Sequence, residues 1–399
     1  MAKLINCFNI PVCDEIPGGE AALASVFPED GEYVILPGFC DVHVHFREPG
    51  FSYKETISSG CAAAARGGYT AVCAMPNLNP VPDYPENLKL ETDLIKAGAC
   101  IRVYPYGALT RGEKGTEAAE LEQMAADVIA FSDDGRGVQS EELMREVMLR
   151  AKKLDKIAAA HTEDDALTNG GCVNFGEFSR SHGLPGIPNE SEWRQIERDL
   201  RLAAETGCRY HVCHVSCRES VDIIRKAKTE GIDVTCETAP HYLLLDDSML
   251  KDEGRFKMKP PIRAKADREA LIEGLLDGTV DMIATDHAPH SAKEKAGTLK
   301  DGAFGIVGLE TAFPALYTGL VKTGILSLAK LVELMSFTPR KRFGITADAG
   351  FSVWNLNAKY RVDPADFLSK GKSTPFEGCE LYGSCLLTVL DGTAIYRSY

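Results

Sequence analysis

The sequence predicts an α/β fold, a TIM-like (β/α)8 barrel with a small β appendage formed by the chain termini. Two observations lead to this prediction. From about residue 39 onward, eight short β-rich apolar runs alternate with amphipathic segments rich in Ala, Leu and Glu, a pattern typical of a parallel barrel. The first run leads into His-Val-His-Phe-Arg-Glu-Pro-Gly, whereas a doubly wound open sheet would normally show a Gly-rich phosphate-binding turn there.

The predicted elements follow in chain order. Barrel strands are expected at residues 39–45, 69–74, 101–106, 128–132, 157–161, 210–215, 232–238 and 281–285. Helices are expected between them at 53–66, 141–153, 191–206, 220–230 and 267–276, and two more follow at 309–321 and 326–336. Beyond about residue 343 the pattern changes to short apolar runs separated by turns, at 352–355, 386–390 and 394–397. We therefore predict an N-terminal segment (1–36) that joins the β appendage, a barrel domain (37–343) and a C-terminal β appendage (344–399).

The net charge limits the class of partner. The chain has 399 residues with 44 Lys and Arg against 58 Asp and Glu, so its formal net charge is −14. This balance argues against binding nucleic acid or docking on anionic lipid, because both need a basic surface. A small anionic substrate remains compatible, since one local Arg or Lys can override the field of the whole protein.

The cysteines and the apolar runs indicate a cytoplasmic protein. The 13 cysteines are odd in number and form no C-x-x-C pair, which indicates reduced thiols rather than a zinc ribbon or a redox motif. The sequence begins with no signal-peptide pattern, and no apolar run approaches the roughly 18 residues of a membrane span. We therefore expect a small-molecule substrate, with no nucleic-acid or membrane partner.

The first predicted strand ends in Asp41-Val42-His43-Val44-His45. Because residues two apart in a strand point to the same face, His43 and His45 are expected to project together into the barrel, with Val42 and Val44 facing the helices. Taken alone, this pair fits two hydrogen-bonded core histidines as well as it fits half of a metal site. The ends of the other strands decide between these interpretations.

Four further strands end in potential metal ligands, at the end of the barrel where the active sites of this fold lie. They contribute Asp133 and Asp134 (fourth strand), His161 (fifth), His214 (sixth) and Asp286 (eighth). Carboxylates are almost never buried without a partner, so core filling does not explain this recurrence. Four histidines, Asp286 and one of the two aspartates of the fourth strand exceed the needs of one zinc site, and they fit two cations about 3.5 Å apart that share a bridging ligand.

This set of ligands predicts the cofactor and the reaction. Imidazole and carboxylate without thiolate suit Zn²⁺, two ions per chain, better than Mn²⁺, Co²⁺ or Fe²⁺. A water that bridges two such ions ionises near neutral pH and becomes a nucleophile. Asp286 is placed to ligate one ion and to act as the catalytic acid/base, accepting the proton of that water and passing it to a leaving amide nitrogen. The predicted chemistry is hydrolysis of an unactivated amide, or its reverse.

Polar residues beside the ligands are candidates for substrate binding. Arg47 follows the histidine pair and offers a guanidinium fork for a carboxylate. Asn77 follows the second strand, and His290 begins the loop beyond the eighth. His211 is set aside because it lies three residues before His214 in one strand and should point to the opposite face.

Six segments of the chain together resemble the dihydroorotases of the amidohydrolase superfamily, of the bacterial type with a bridging Asp. These segments are PGFCDVHVHFREPG, AMPNLNPVPD, FSDDGRGVQ, CHVS, MIATDHAPH and FGIVGLETAFPALYTGLV. The resemblance runs from about Pro37 to Phe343, and DFLSKGKSTPFEG extends it into the tail. It implies a zinc enzyme that catalyses the reversible cyclisation of N-carbamoyl-L-aspartate to L-dihydroorotate in de novo pyrimidine (UMP) biosynthesis.

The resemblance also implies the roles of the individual residues. His43, His45 and Asp286 would hold the first metal, His161 and His214 the second, and Asp134 would bridge them. The choice of Asp134 over Asp133 comes from the resemblance, because spacing alone leaves it open. Arg47, Asn77 and His290 would bind the substrate carboxylate and ring, and the backbone of Phe304 and Gly305 would contact the ring amides.

One departure from the family pattern lies in the substrate site. The family usually has Asn-Pro-Pro-Leu-Arg after the seventh strand, whereas this chain has Lys-Pro-Pro-Ile-Arg, beginning at Lys259. That Asn is expected to touch the substrate, and Lys259 is expected to meet a carboxylate there as a point charge.

Two alternatives stay open. Lys259 motivates another cyclic amidase, such as an allantoinase or hydantoinase, although related enzymes carry a carbamylated Lys where this chain offers a bridging Asp. The other is an inactive dihydroorotase-like scaffold of aspartate transcarbamoylase, which the presence of all six ligands disfavours. A homodimer and an association with aspartate transcarbamoylase are the protein partners left open.

Overall fold

A barrel of parallel strands and a separate five-stranded sheet form the computed structural model of the chain, which describes residues 2–12, 16, 18–28 and 31–398. The strands are β1 (Lys3–Ile5), β2 (Glu32–Pro37), β3 (Phe39–Val44), β4 (Tyr69–Ala74), β5 (Arg102–Pro105), β6 (Gly107–Ala108), β7 (Phe131–Ser132), β8 (Ile157–Ala160), β9 (Val173–Asn174), β10 (Gly186–Ile187), β11 (Arg209–Val212), β12 (Val234–Thr238), β13 (Met282–Ile283), β14 (Phe351–Arg361), β15 (Glu380–Leu390) and β16 (Thr393–Arg397).

Most helices lie between consecutive barrel strands. They are α1 (Gly19–Ala24), α2 (Ile57–Arg66), α3 (Pro85–Gly98), α4 (Leu121–Met124), α5 (Glu141–Lys153), α6 (Asp165–Thr168), α7 (Glu177–His182), α8 (Glu190–Thr206), α9 (Arg218–Thr229), α10 (Pro240–Leu244), α11 (Lys265–Asp277), α12 (Ala292–Lys295), α13 (Ala312–Leu316), α14 (Leu328–Val332) and α15 (Thr338–Phe343). Two π-helical turns, Tyr317–Val321 and Glu333–Phe337, continue α13 and α14. Among the described residues, no helix combines the length and the apolar character needed to cross a bilayer.

The barrel strands pair in sequence order around one ring. β3 pairs in parallel with β4 and β4 with β5, and the third barrel strand resumes after Tyr106 as β6, which pairs with β7. Parallel pairing continues through β8, β11, β12 and β13. The ring closes where the His45 N–H donates to the His287 carbonyl (2.8 Å) and the Thr285 N–H donates to the Asp41 carboxylate (3.0 Å). The predicted (β/α)8 barrel is confirmed.

Helix starts follow local capping rather than the apolar pattern alone. The predicted helix at 53–66 begins only at Ile57, because Thr56 is its N-cap. The Thr56 hydroxyl accepts from the Ser59 N–H (3.1 Å), and the Ser59 hydroxyl accepts from the Thr56 N–H (3.0 Å). This reciprocal pair satisfies donors that the first turn of a helix leaves free. The helix predicted at 141–153 has the same bounds in the structure, where the Ser140 hydroxyl caps it.

Val42 departs from its predicted orientation. Val44 packs among the side chains between strands and helices, as expected, but Val42 packs in the inner core of the barrel with Cys40 and Ala71. The register of β3 against β4 shifts between Asp41 and Val44, and such an irregularity breaks the strict alternation of faces. The prediction that Val42 faces the helices is therefore wrong.

The second sheet brings both ends of the chain together, in the order β1-β2-β14-β15-β16. β1 runs parallel to β2, while β14 pairs antiparallel with both β2 and β15. Trp354 of β14 packs against Phe39 and Phe313, with ring centroids 6.1 and 4.4 Å apart, and so joins this sheet to the barrel. Residues 1, 13–15, 17, 29–30 and 399, which belong to the predicted terminal segments, lie outside the described residues.

Candidate active site

The predicted metal ligands form one buried cluster at the carboxyl ends of five barrel strands. The cluster consists of His43, His45, Asp134, His161, His214 and Asp286, none of which is more than 7% exposed. The residues come from β3 and from the segments that follow β3, β7, β8, β11 and β13. The parallel strands start from the same side of the barrel, so their ends converge on one patch although the residues are far apart in sequence.

Asp134 lies at the centre of the cluster. Its Oδ1 is 3.4 Å from both His43 Nε2 and His214 Nε2 and 3.6 Å from His161 Nδ1. Its Oδ2 is 3.4 Å from His45 Nε2. One carboxylate therefore contacts all four imidazoles, an arrangement that suits a ligand shared by two cations.

Asp286 adds a second carboxylate on the side of the histidine pair. Its Oδ1 lies 3.1 Å from His45 Nε2 and 3.6 Å from His43 Nε2. Ligand atoms of His43, His45 and Asp286 are thus close enough to share one metal ion, as are those of His43, Asp134 and His214. In a tetrahedral zinc site with bonds of about 2.0 Å, ligand atoms lie roughly 3.3 Å apart, close to the separations found here.

The cluster holds buried polar atoms without a hydrogen-bond partner in the described part of the chain. These atoms are His43 Nε2, His45 Nδ1, Asp134 Oδ1, His161 Nε2 and His214 Nδ1. The nitrogens His161 Nδ1 and His214 Nε2 also face each other at 2.8 Å. Unpaired buried polar atoms cost free energy, and this imidazole and carboxylate donor set suits a divalent cation such as zinc. The residues present therefore fit a metal site.

Both carboxylates of the cluster are ionised. Burial by itself would raise the pKa of Asp134, but His43, His161 and His214 hold it well below its usual value. Burial likewise raises the pKa of Asp286, while His45 and His43 bring it below its usual value. Ionised oxygens are what both metal ligation and proton acceptance require.

Asp133, the other candidate of the fourth strand, does not face the cluster. Its Oδ1 accepts from the N–H groups of Leu109 (2.8 Å) and Thr110 (3.0 Å), and its Oδ2 accepts from the Thr110 hydroxyl. These bonds direct the carboxylate toward the backbone at Leu109 and Thr110. Of the two aspartates that spacing left open, Asp134 is the one beside the imidazoles.

His211 departs from its predicted orientation. It points into the barrel, where its Nε2 lies 2.9 Å from Glu237 Oε2. β11 ends at Val212, and His214 has a left-handed backbone with φ of 37°, so the two histidines do not belong to one alternating strand. Asp286 and Arg47 have similar backbones, with φ of 47° and 62°. Such conformations cost about 1–3 kcal/mol for non-glycine residues and cluster at functional sites.

An open cavity of about 270 Å³ lies over the cluster. Five of the six cluster residues line it, and only His43 lies beneath. All the predicted substrate-binding residues line it as well: Arg47, Asn77, Lys259, His290, Phe304 and Gly305. The structure thus brings the residues singled out in the sequence to one place.

Arg47 brings a free positive charge to the cavity. Its Nε donates to the Pro289 carbonyl (3.2 Å), which fixes the guanidinium against the loop after β13. No carboxylate of the described residues lies within ion-pair distance of it. The guanidinium is therefore available to a ligand carboxylate.

His290 holds the neighbouring loop rather than standing free. Its Nε2 donates to the Phe304 carbonyl (2.7 Å), and its Nδ1 accepts from Lys54 Nζ (3.2 Å). Burial and the charges of Arg47 and Lys54 lower the pKa of His290 to about 3, so the ring is neutral. Gly305 follows with φ of 126°, and a Cβ there would lie 2.6 Å from the Ala288 carbonyl oxygen. Glycine is required at this position of the cavity wall.

Lys259 forms an ion pair with Glu163 at the cavity wall. Glu163 Oε2 lies 3.5 Å from His161 Nε2, so this pair adjoins the ligand cluster.

Asn77 uses its amide nitrogen to donate to the Asp134 carbonyl, while its Oδ1 has no partner among the described residues. The sequence did not single out Glu163 and Glu237, which contact His161 and His43. Glu237 could have been noticed as a carboxylate inside an otherwise apolar strand.

The sequence is similar to those of known dihydroorotases. Residues 32–220 match a family model described as dihydro-orotase-like. The chain is 49% identical over 376 residues to the dihydroorotase of Geobacillus thermodenitrificans, and the alignment covers 92% of this chain and 88% of the relative. It is 48% identical over 375 residues to the dihydroorotase of Ligilactobacillus salivarius, covering 91% of this chain and 87% of the relative.

Solved structures show the same fold. The L-hydantoinase (dihydropyrimidinase) from Arthrobacter aurescens superposes with a TM-score of 0.81 at 25% identity, covering 94% of this chain and 88% of that one. The dihydropyrimidinase from Brevibacillus agri superposes with a TM-score of 0.79 at 21% identity, over 92% and 85% of the two chains. The identity to the bacterial relatives extends over nearly the whole chain, including the barrel that carries the cluster. This chain therefore belongs to the dihydroorotase family and is a cyclic amide hydrolase.

Proposed function

We propose that the chain catalyses the reversible cyclisation of N-carbamoyl-L-aspartate to L-dihydroorotate in de novo pyrimidine synthesis. One observation carries this proposal: the cavity presents the Arg47 guanidinium, which has no carboxylate partner among the described residues, beside a cluster of two carboxylates and four imidazoles. L-dihydroorotate carries a carboxylate next to a cyclic amide. A fixed cation would hold the carboxylate and so place the amide over the cluster.

Zinc is the cofactor that we propose, two ions per chain. His43, His45 and Asp286 would hold one, His161 and His214 the other, and Asp134 would contact both. When bound, such ions polarise an amide carbonyl and lower the pKa of water. We also propose that the barrel, residues 37–343, carries the activity, with residues 1–36 and 344–399 forming the β appendage.

The protein side chains supply proton transfer and orientation. Asp286 is ionised, so it can accept a proton during hydrolysis and return it to the ring nitrogen as the amide bond breaks. Asn77 Oδ1, which has no partner among the described residues, can accept from a ring N–H. The Phe304 and Gly305 segment, held by His290, closes the cavity beside the ring.

Substrate comparison with Arg47→Met tests the proposed function. Loss of the guanidinium should lower kcat/KM for L-dihydroorotate by about 10- to 100-fold, because hydrogen bonds to charged groups contribute about 1.5–3 kcal/mol. Hydrolysis of hydantoin, which lacks the carboxylate, should change far less. Steady-state kinetics of the parent and of Arg47→Met on L-dihydroorotate, hydantoin and allantoin measure this difference.

Arg136→Met is the matched control, since Arg136 is exposed and lies outside the cavity lining. Its kinetics should equal those of the parent. A parent enzyme that prefers hydantoin or allantoin would contradict the proposal in favour of another cyclic amidase. A folded parent that binds zinc but turns over none of the three compounds would indicate a scaffold instead.

Lys259→Asn should change KM for L-dihydroorotate by less than about fivefold, or about 1 kcal/mol, because the charge of Lys259 is already paired with Glu163 and is not free to hold the substrate carboxylate. Steady-state kinetics measure the effect, with Lys300→Asn as the control for the same charge change at an exposed loop position. A tenfold or larger rise in KM in Lys259→Asn alone would show that Lys259 binds the substrate directly.

A further inference from the structure

Glu237 is a buried carboxylate that lies beneath the cavity and contacts the cluster from inside the barrel. It is the second-to-last residue of β12 and is 1% exposed. Its Oε1 lies 2.6 Å from His43 Nδ1, and its Oε2 lies 2.9 Å from His211 Nε2. It does not line the cavity, so it does not meet the substrate.

The hydrogen bonds of Glu237 determine which ring nitrogens carry protons. A carboxylate accepts hydrogen bonds and cannot donate them, so His43 must donate from Nδ1 and His211 from Nε2. His211 Nδ1 then accepts from the Thr235 hydroxyl, which lies 2.9 Å away. The nitrogen left to face the cluster is Nε2, which lies 3.4 Å from Asp134 Oδ1 and 3.6 Å from Asp286 Oδ1, and a neutral His43 has its lone pair there.

Glu237 also contacts the backbone at a second cluster residue. Its Oε1 accepts from the His214 N–H at 3.4 Å. His214 is the residue with a φ of 37°, a backbone conformation that neighbouring contacts must stabilise. The Glu237 carboxylate on β12 thus contacts the side chain of His43 on β3 and the backbone of His214 in the turn after β11.

We propose that Glu237 is a positioning residue that fixes the tautomer and orientation of His43 and supports the turn at His214, so that both rings face the cluster. Histidines that bind metals usually donate their other ring N–H to a carboxylate or carbonyl, which sets the tautomer and strengthens the ligand. The link to metal affinity rests on the proposed zinc-dependent function, whereas the tautomer of His43 does not.

Nitrogen NMR of the metal-free protein tests the tautomer directly. Protein labelled with ¹⁵N-histidine is compared with a His43→Gln variant, which identifies the His43 signals. The spectra are recorded at rising pH until the ring of His43 is neutral, and in the parent the remaining proton should be on Nδ1. Glu237→Gln keeps an oxygen acceptor at the same reach and should preserve that tautomer, while Glu237→Asp keeps the charge but withdraws it by one methylene and should lose it. A parent His43 protonated on Nε2, or an unchanged tautomer in Glu237→Asp, would overturn the proposal.

Zinc affinity, measured by competition with a chromophoric chelator, tests the consequence. Glu237→Asp should bind zinc about 10- to 100-fold more weakly than the parent, the usual effect of losing such a partner, and Glu237→Gln should lose less. Asp199→Asn is the control: Asp199 is also fully buried and accepts from the Tyr210 hydroxyl (2.8 Å), but it lies away from the cluster. Its affinity for zinc should equal that of the parent.

The two measurements separate this inference from the proposed function. If the parent binds no zinc, the proposed function fails while the NMR result still decides the role of Glu237. If zinc affinity in Glu237→Asp equals that of the parent, the positioning role is refuted even where the enzyme is active. Should Glu237→Asp fail to fold, the protonated nitrogen of His43 in the parent decides the question alone.

Discussion

Asp286→Asn should lower kcat for L-dihydroorotate hydrolysis by about 100-fold or more, the contribution usual for a general acid or base. The amide oxygen of Asn can still contact a cation beside His45, so much of the bound metal should remain. The amide cannot accept a proton at neutral pH, so transfer to the ring nitrogen should fail. Steady-state kinetics and metal analysis on the same sample measure both effects.

Asp281→Asn is the matched control for this substitution. Asp281 lies just before β13, at the opposite end of the strand from Asp286, and accepts from the Cys236 N–H (2.8 Å) and Lys228 Nζ (2.6 Å). Its kcat should stay close to that of the parent. A kcat near the parental value in Asp286→Asn, with metal retained, would remove Asp286 from proton transfer.

The position of the site followed from the sequence because the fold determines it. In a parallel barrel every strand ends on the same side, so potential ligands after β7, β8, β11 and β13 must meet those of β3. Apolar runs mark the ends of the strands well, and these ends are enough to place the ligands without side-chain geometry. The structure brings all of these ligands together.

The facing of individual side chains was harder to predict because alternation holds only for extended, regularly paired backbone. Val42 faces inward where β3 changes register against β4. The face of His211 was inferred from the spacing to His214, but His214 lies in a turn beyond the strand, so the alternation does not extend to it. Both failures lie near the cluster, where the chain bends to aim ligands at one point. A period-two pattern carries no information about such bends.

Supporting contacts escaped the sequence argument for another reason. Glu237 meets His43, and Lys54 meets His290, across more than 190 residues of chain in each case. Such pairs exist only once the barrel is closed, and no local pattern marks them. The family pattern drew attention to Lys259, but its ion pair with Glu163 became visible only in three dimensions.

Removal of the metal should abolish turnover and lower stability, and zinc should restore both. Dialysis against a chelator leaves four imidazoles and two carboxylates packed together, with atoms such as His161 Nε2 and His214 Nδ1 buried without a partner among the described residues. The six ligands lie together only in the folded chain, so zinc should bind the folded chain and not the unfolded one. Zinc at 100 times its Kd should therefore stabilise the fold by about 2.7 kcal/mol. Kinetics and thermal unfolding, with and without zinc, measure the two effects.

Two neighbouring aspartates make this test specific to the cluster. Asp133→Asn should lower the unfolding temperature, because Asp133 holds the backbone at Leu109 and Thr110. Adding zinc should still raise the unfolding temperature of this variant as it does that of the parent. Asp134→Asn should lose most of that increase, because Asp134 is the carboxylate that touches all four imidazoles. The comparison uses the change on adding zinc, so a general loss of stability cannot imitate it. Equal increases in the two variants would mean that zinc binds elsewhere, and the cluster would then no longer support a metal-dependent hydrolase.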